Sequence, residues 1–156
     1  MTVTVEPPYL VDPYRRTERG FRERVNGIAP AAAADYAVTI EGRYVTRLVA
    51  IKCLLTTDAN VANREVVLEY RDAEANRIML MGAPVVVTAS DTVTYVFQRG
   101  QGQAEWSCDD SIIVPLIDEP LTPGESFRLH IVNAQVADTL TVIRYTWERF
   151  YTDDTR

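Results

Sequence analysis

From residue 35 to residue 151 the apolar side chains recur at every second position, in short runs punctuated by turn residues about every 8–12 positions, and this period-two pattern leaves no room for an amphipathic helix. In Val45-Thr-Arg-Leu-Val-Ala-Ile-Lys-Cys-Leu-Leu55, Val45, Val49, Ile51, Cys53 and Leu55 fall on one face. Leu48, Ala50 and Leu54 lie on the other, which marks a strand covered on both sides. Arg64–Arg71 alternates with Val66, Leu68 and Tyr70 inward, and Asp72–Asn76 is a five-residue hairpin loop into Arg77–Met81. Val85–Thr88 and Thr92–Phe97 read as two further strands, with Val93, Tyr95 and Phe97 sharing one face. Ser111–Ile117 reads as a short strand ended by Pro115. Thr122-Pro-Gly-Glu125 has Pro-Gly where a type II turn wants it. It leads into the strictly alternating Phe127–Ile131. The closing run Thr139–Tyr151, rich in Thr, Val and aromatics, is long enough for a strand to bulge. Eight or nine such strands predict an all-β fold, an antiparallel two-sheet β-sandwich of jelly-roll type.

Residues 1–34 obey a different rule. Pro7, Pro8, Pro13 and Pro30 punctuate the segment, and the first three bar regular helix and central strand there, while Tyr9, Leu10, Val11, Tyr14 and Phe21 are stickier than disorder usually carries. The expectation is an extended arm over 1–34, a sandwich over 35–151 and a short tail over 152–156. Aromatic residues beside charges are common binding anchors. Tyr9, Leu10, Tyr14, Arg15, Arg16 and Phe21 are therefore candidate partner-binding residues. Trp106, inside an acidic loop, joins them, although its loop context suits burial as well as contact.

Catalytic equipment is sparse. Of 16 basic residues only Lys52 is lysine, and His130 is the sole histidine. His130 projects with Arg128 and Val132, as a surface or interface residue would. No nucleophile elbow or phosphate-binding loop occurs, and Gly100-Gln-Gly102 lacks a third glycine and a following helix. Cys53 and Cys108 form no CxxC pair, so zinc is not expected. Cys53 reads as a buried structural thiol and Cys108 as a free one. No cofactor or metal is expected. The acids Asp109, Asp110, Asp118 and Glu119 lack EF-hand spacing and read as a solvated rim.

The net charge is −6. Six acids and no base lie between Gly100 and Phe127, and taking them from the 22 acids leaves 16, equal to the 16 bases. General attraction to nucleic acid or to an anionic membrane is disfavoured. No apolar stretch has signal-peptide or membrane-spanning length, so the expectation is a protein made soluble in the cytoplasm.

Several of these runs resemble small structural proteins encoded in the virion gene clusters of tailed bacteriophages. There a strand ending TSxxVANR enters a strand–turn–strand unit VxLxxxDxxGN, represented here by Thr57-Asp-Ala-Asn-Val-Ala-Asn-Arg64 and Val66–Asn76. A TVTYxF strand and an LxPGxxxRL turn follow. Glu74 and Ala75 depart from the pattern where the turn favours glycine, as does the long N-terminal segment. The resemblance implies a non-enzymatic virion component: a capsid decoration (cement) protein, a head-fibre base or a tail accessory protein. It further implies the major capsid protein or other virion subunits as partners, self-association with a trimer favoured, and a place on the capsid surface. The competing class is a carbohydrate- or receptor-binding module, stacking sugar on Trp106, Tyr95 or Tyr145.

Overall fold

The alternating pattern folds into two sheets facing each other. The structure, a computed structural model, describes residues 20–100, 105–106 and 111–151. Among the described residues ten strands follow one another: β1 (Phe21–Asn26), β2 (Tyr36–Thr39), β3 (Tyr44–Thr56), β4 (Glu65–Arg71), β5 (Arg77–Met81), β6 (Thr92–Gln98), β7 (Glu105–Trp106), β8 (Ser111–Pro115), β9 (Ser126–Val132) and β10 (Thr139–Tyr151). One sheet has the order β1-β10-β3-β6-β8-β7 and the other β2-β9-β4-β5. Without β7 and β8 these are the two four-stranded halves of a jelly roll. The fold class is the one the periodicity predicts, with one difference. β8 runs parallel to β6, with Tyr95 opposite Ile112 and Phe97 opposite Val114. The 12 residues between Gln98 and Ser111 make this possible, because parallel neighbours need a crossover of about that length.

The core lies between the sheets. Ile51, Cys53, Leu55, Tyr95, Phe97 and Tyr145 from the larger sheet meet Val66, Leu68, Tyr70, Phe127, Leu129 and Ile131 from the smaller. Each large apolar side chain buried this way contributes roughly 1.5–3 kcal/mol. Two bulges set which side chains reach it. Leu48 lies opposite Trp147 and Ala50 opposite Thr146, so Val49 is an extra residue in β3. The inward set is therefore Thr46 and Leu48 before the bulge and Ile51, Cys53 and Leu55 after it. This corrects the single-face reading of Val45 and Val49. In β10 the ladder slips between Thr141 and Arg144, beside Val142 with a φ of 50°.

Two further expectations are corrected. Phe21–Asn26, expected in the arm, pair with Arg149–Arg144 of β10 and extend the larger sheet. Their charges suit an edge strand, where they discourage pairing with another chain; a charge-rich segment is thus still a strand. Val85–Thr88 is not a strand: Val87 alone makes a two-bond bridge with Arg64. The hairpin Asp72–Asn76 forms as expected, but Ala75 sits at a φ of 66°, a conformation that costs a residue with a Cβ about 1–2 kcal/mol. The Pro123-Gly124 turn also forms, with Gly124 at a φ of 93° and the Glu125 amide donating to Thr122 O at 3.0 Å.

At one end of the sandwich Arg64 is completely buried, and all five of its N–H donors have acceptors. Nε donates to Asp138 at 3.0 Å, Nη2 to Asp138 at 3.2 Å and to Asp58, and Nη1 to the carbonyls of Asn60 (2.6 Å) and Ala62 (3.0 Å). Asp138 is equally buried and also accepts the amides of Asp58 and Gln135. Burial pushes its carboxyl up, but those two amides and Arg64 outweigh it and hold the carboxyl below its ordinary value. The Asp138 carbonyl accepts the Ala33 amide at 2.7 Å. One ionic cluster thereby ties the β3–β4 loop, the β9–β10 loop, the β1–β2 connection and Val87. Arg64→Ala would strand a fully buried carboxylate, and the expected loss is about 3–5 kcal/mol. Urea unfolding of the two proteins checks this, and a loss under about 1 kcal/mol would contradict it.

Candidate interaction surface

Of the candidate partner-binding residues, Tyr9, Leu10, Tyr14, Arg15 and Arg16 lie outside the described residues. So do the side chain of Trp106, whose backbone pairs with Ile112, and Cys108. Phe21 is described. It opens β1 with 40% of its surface exposed and meets Tyr44 edge-on, ring centroids 5.8 Å apart at 85°.

Phe21 belongs to a cluster that runs outward from the core. The buried Tyr145 touches Trp147 at 5.0 Å, and the Arg149 guanidinium lies between Trp147 (4.8 Å) and the Tyr44 ring (3.9 Å). Tyr44 contacts Tyr151 at 4.7 Å and donates its hydroxyl to the Tyr151 oxygen at 2.9 Å. That hydrogen bond leads the effects holding the Tyr44 phenol above its ordinary value. Glu23 of β1 accepts the Trp147 indole N–H at 2.8 Å and lies 3.9 Å from Arg149. Strand geometry builds this cluster. Trp147, Arg149 and Tyr151 follow at period two beyond the Val49 bulge of the facing β3, and Tyr44 is the register partner of Tyr151. Sequence reasoning missed Tyr44, Arg149 and Tyr151, although the alternation Trp-Glu-Arg-Phe-Tyr was a visible signal.

A second polar surface covers the outside of the smaller sheet. Glu69 is buried at its centre. Its Oε2 accepts Arg71 at 3.0 Å and Arg128 at 2.7 and 3.1 Å, and Arg77 Nη2 lies 3.0 Å from Oε1. Arg128 also meets Asp35 at 2.8 Å, and Asp35 meets His130 Nδ1 at 2.7 Å. The network crosses β5, β4 and β9 and reaches Asp35, the residue before β2. Burial pushes the Glu69 carboxyl up, but Arg71 and Arg128 outweigh it and the net displacement is downward. Glu69, Arg77 and His130 of this network also line a concavity of 590 Å³, together with Glu65, Val67, Leu80 and Val132. The expected surface position of His130 holds, with its side chain 37% exposed.

Two of the three aromatic residues of the sugar-binding reading, Tyr95 and Tyr145, are placed against it. Tyr95 is fully buried and Tyr145 is 6% exposed, so neither offers a ring face to solvent. Arg149 occupies one face of Tyr44. Cys53 is buried as expected, and burial pushes its thiol up to about 12, which leaves it unreactive near neutral pH. In the acidic stretch, Asp118 pairs with Arg99 at 3.2 Å and approaches Arg47 at 4.0 Å.

No protein-family profile and no curated protein sequence matches the chain. Among solved structures, the chain is similar to a chain of the T13 particle of infectious bursal disease virus, with 5% identity and a TM-score of 0.42 over 85% of this chain and 31% of that one. It is similar to a chain of the Gx strain of the same virus at 6% identity and a TM-score of 0.42, over 87% and 33%. A third similarity, to that virus's T=1 particles, has a TM-score of 0.28 at 7% identity, over 88% and 41%. The chain thus spans about a third of the length of the first two.

The carboxylates Asp138 and Glu69 both have folded pKa values below their unfolded ones. Their stabilisation is present above the unfolded value, about 4, and is lost as pH falls through the folded value. The midpoint of urea unfolding should fall steadily below about pH 4, and Glu69→Gln should flatten that dependence. An unchanged pH profile in the variant would contradict the assignment.

Proposed function

We propose that the protein is a non-enzymatic structural component of a tailed-phage virion, a decoration or cement protein that binds the outer capsid surface and forms homo-oligomers, trimers first among them. The observation that carries a protein-contact role is the aromatic–arginine cluster of Phe21, Tyr44, Trp147, Arg149 and Tyr151. Trp, Tyr and Arg dominate the energetics of protein interfaces. Here the arginine is already held between two rings, so little side-chain entropy remains to be lost when a partner covers it. The cluster also adjoins the start of β1, next to Gly20, where residues 1–19 join the fold.

The choice of partner rests on the sequence resemblance to virion proteins, with which a jelly-roll fold is compatible. The fold alone does not decide it, because jelly rolls serve lectins and cupins as well as capsids. In this reading residues 1–19 are an arm that engages neighbouring virion subunits once the sandwich has docked, gaining affinity through effective concentration. Along the sequence the charge is uneven, with six acids and no base between Gly100 and Phe127 and an arginine-rich N-terminal stretch.

Truncation tests this, and the cut belongs before β1: removing residues 1–34 would delete an edge strand of the larger sheet. A protein lacking residues 1–19 should fold with an unchanged circular dichroism spectrum and decorate particles at less than about a tenth of normal occupancy. Full occupancy by the truncated protein would overturn the arm's role. Absence of the intact protein from purified particles would overturn the virion assignment.

A further inference from the structure

The concavity on the outside of the smaller sheet combines three features that together specify a ligand. Its sides are apolar at Val67, Leu80, Pro84 and Val132, with His130 across from Val67 and Arg77 at the end away from Glu65. Glu65 stands at one end, its carboxylate accepting the Ala83 amide and pressed against Gly82 so closely that a Cβ there would lie 2.4 Å from Oε1. Burial raises the Glu65 carboxyl above its ordinary value, and among the described residues no arginine or lysine forms an ion pair with it. Towards the other end lies Glu69, a side chain with no exposed surface, whose Oε1 accepts no hydrogen bond. Arg77 approaches that oxygen at 3.0 Å as an ion pair without hydrogen-bonding alignment, and its own side chain is 53% exposed.

We propose that this groove is a docking site for an arginine side chain of a protein partner, with the guanidinium on Glu65 and the methylene stem along Val67, Leu80 and Val132. Each part of the ligand answers one feature of the groove. A wholly apolar ligand would bury Glu65 without a countercharge, which is costly. An anion would meet that carboxylate directly. A compact, strongly hydrated ammonium gives up more water than a guanidinium does and cannot pair in plane with both carboxylate oxygens. The alkyl stem of arginine lies along apolar surface while its head stays polar. Gly82 is the residue that permits the arrangement, since any larger residue would push Glu65 out of its seat. The proposal stands independently of the virion reading, because it concerns what the isolated protein binds.

The test is an NMR titration of the ¹⁵N-labelled full chain with the tripeptide acetyl-Gly-Arg-Gly-amide. Saturable shifts are expected at the amides of Val67, Gly82, Ala83 and Val132, with a dissociation constant on the order of 1 mM for a ligand this small. The citrulline analogue, isosteric and neutral, requires no change to the protein and should bind at least roughly fivefold more weakly. Glu65→Gln should weaken the arginine peptide by a similar factor while leaving the spectrum of the inner-face residues unchanged. Absence of localised shifts, equal binding of the citrulline or lysine tripeptide, or unchanged binding to a folded Glu65→Gln protein would each overturn the proposal.

Discussion

The guanidinium of Arg64 is the point on which the connections at one end of the sandwich depend. Burying a cation is strongly unfavourable unless its charge and every donor are matched. Here two carboxylates and two carbonyls do so. The requirement works in both directions. Because Arg64 must be satisfied, the β3–β4 loop is folded back on it. Because Asp138 must be satisfied, it gathers the amides of Asp58 and Gln135. The loops that result are anchored at their bases and open at their tips, where Val61 and Val136 are 97% and 80% exposed.

That cluster gives a physical meaning to the sequence run Thr57–Arg64. Its Asp58, the Asn60 carbonyl and Arg64 are the ligand set of the clamp, and Thr57 adds a hydroxyl bond to the Thr88 carbonyl at 2.7 Å. The run looks polar and loop-like, as surface loops do, and nothing local reveals that its last residue has no exposed surface. The partner Asp138 lies 74 positions away. Period-two alternation, by contrast, is local, and so the cores of β4, β6 and β9 were legible residue by residue, as was the Pro123-Gly124 turn. Where the alternation slips, as at Val49, one extra residue reverses every side chain before it. β1 was missed for the opposite reason: an edge strand carries charge, and Arg22, Glu23 and Arg24 looked like the arm that precedes them.

The candidate surfaces divide along the same line. Phe21 was legible as an aromatic among charges, but Tyr44 and Arg149 join it only through the β3–β10 register. The Glu69 network needed three strands of the smaller sheet, β4, β5 and β9, in place before its arginines converged. The jelly-roll body thus presents an ionically tied loop end, an arginine-bearing aromatic edge, and a groove running from Glu65 to the arginine-paired Glu69. Buried Tyr95, Tyr145 and Cys53 are fully used in packing.

Held by the Arg64–Asp138 cluster, these loops should be as permanent as the core strands. Native-state hydrogen exchange at the amides of Ala33, Asp58 and Gln135, each bonded to Asp138, measures this directly. Exchange as slow as that of Leu55 and Tyr70 in the core, requiring global unfolding, is the predicted result. Exchange orders of magnitude faster, at the rates of freely opening loops, would contradict it.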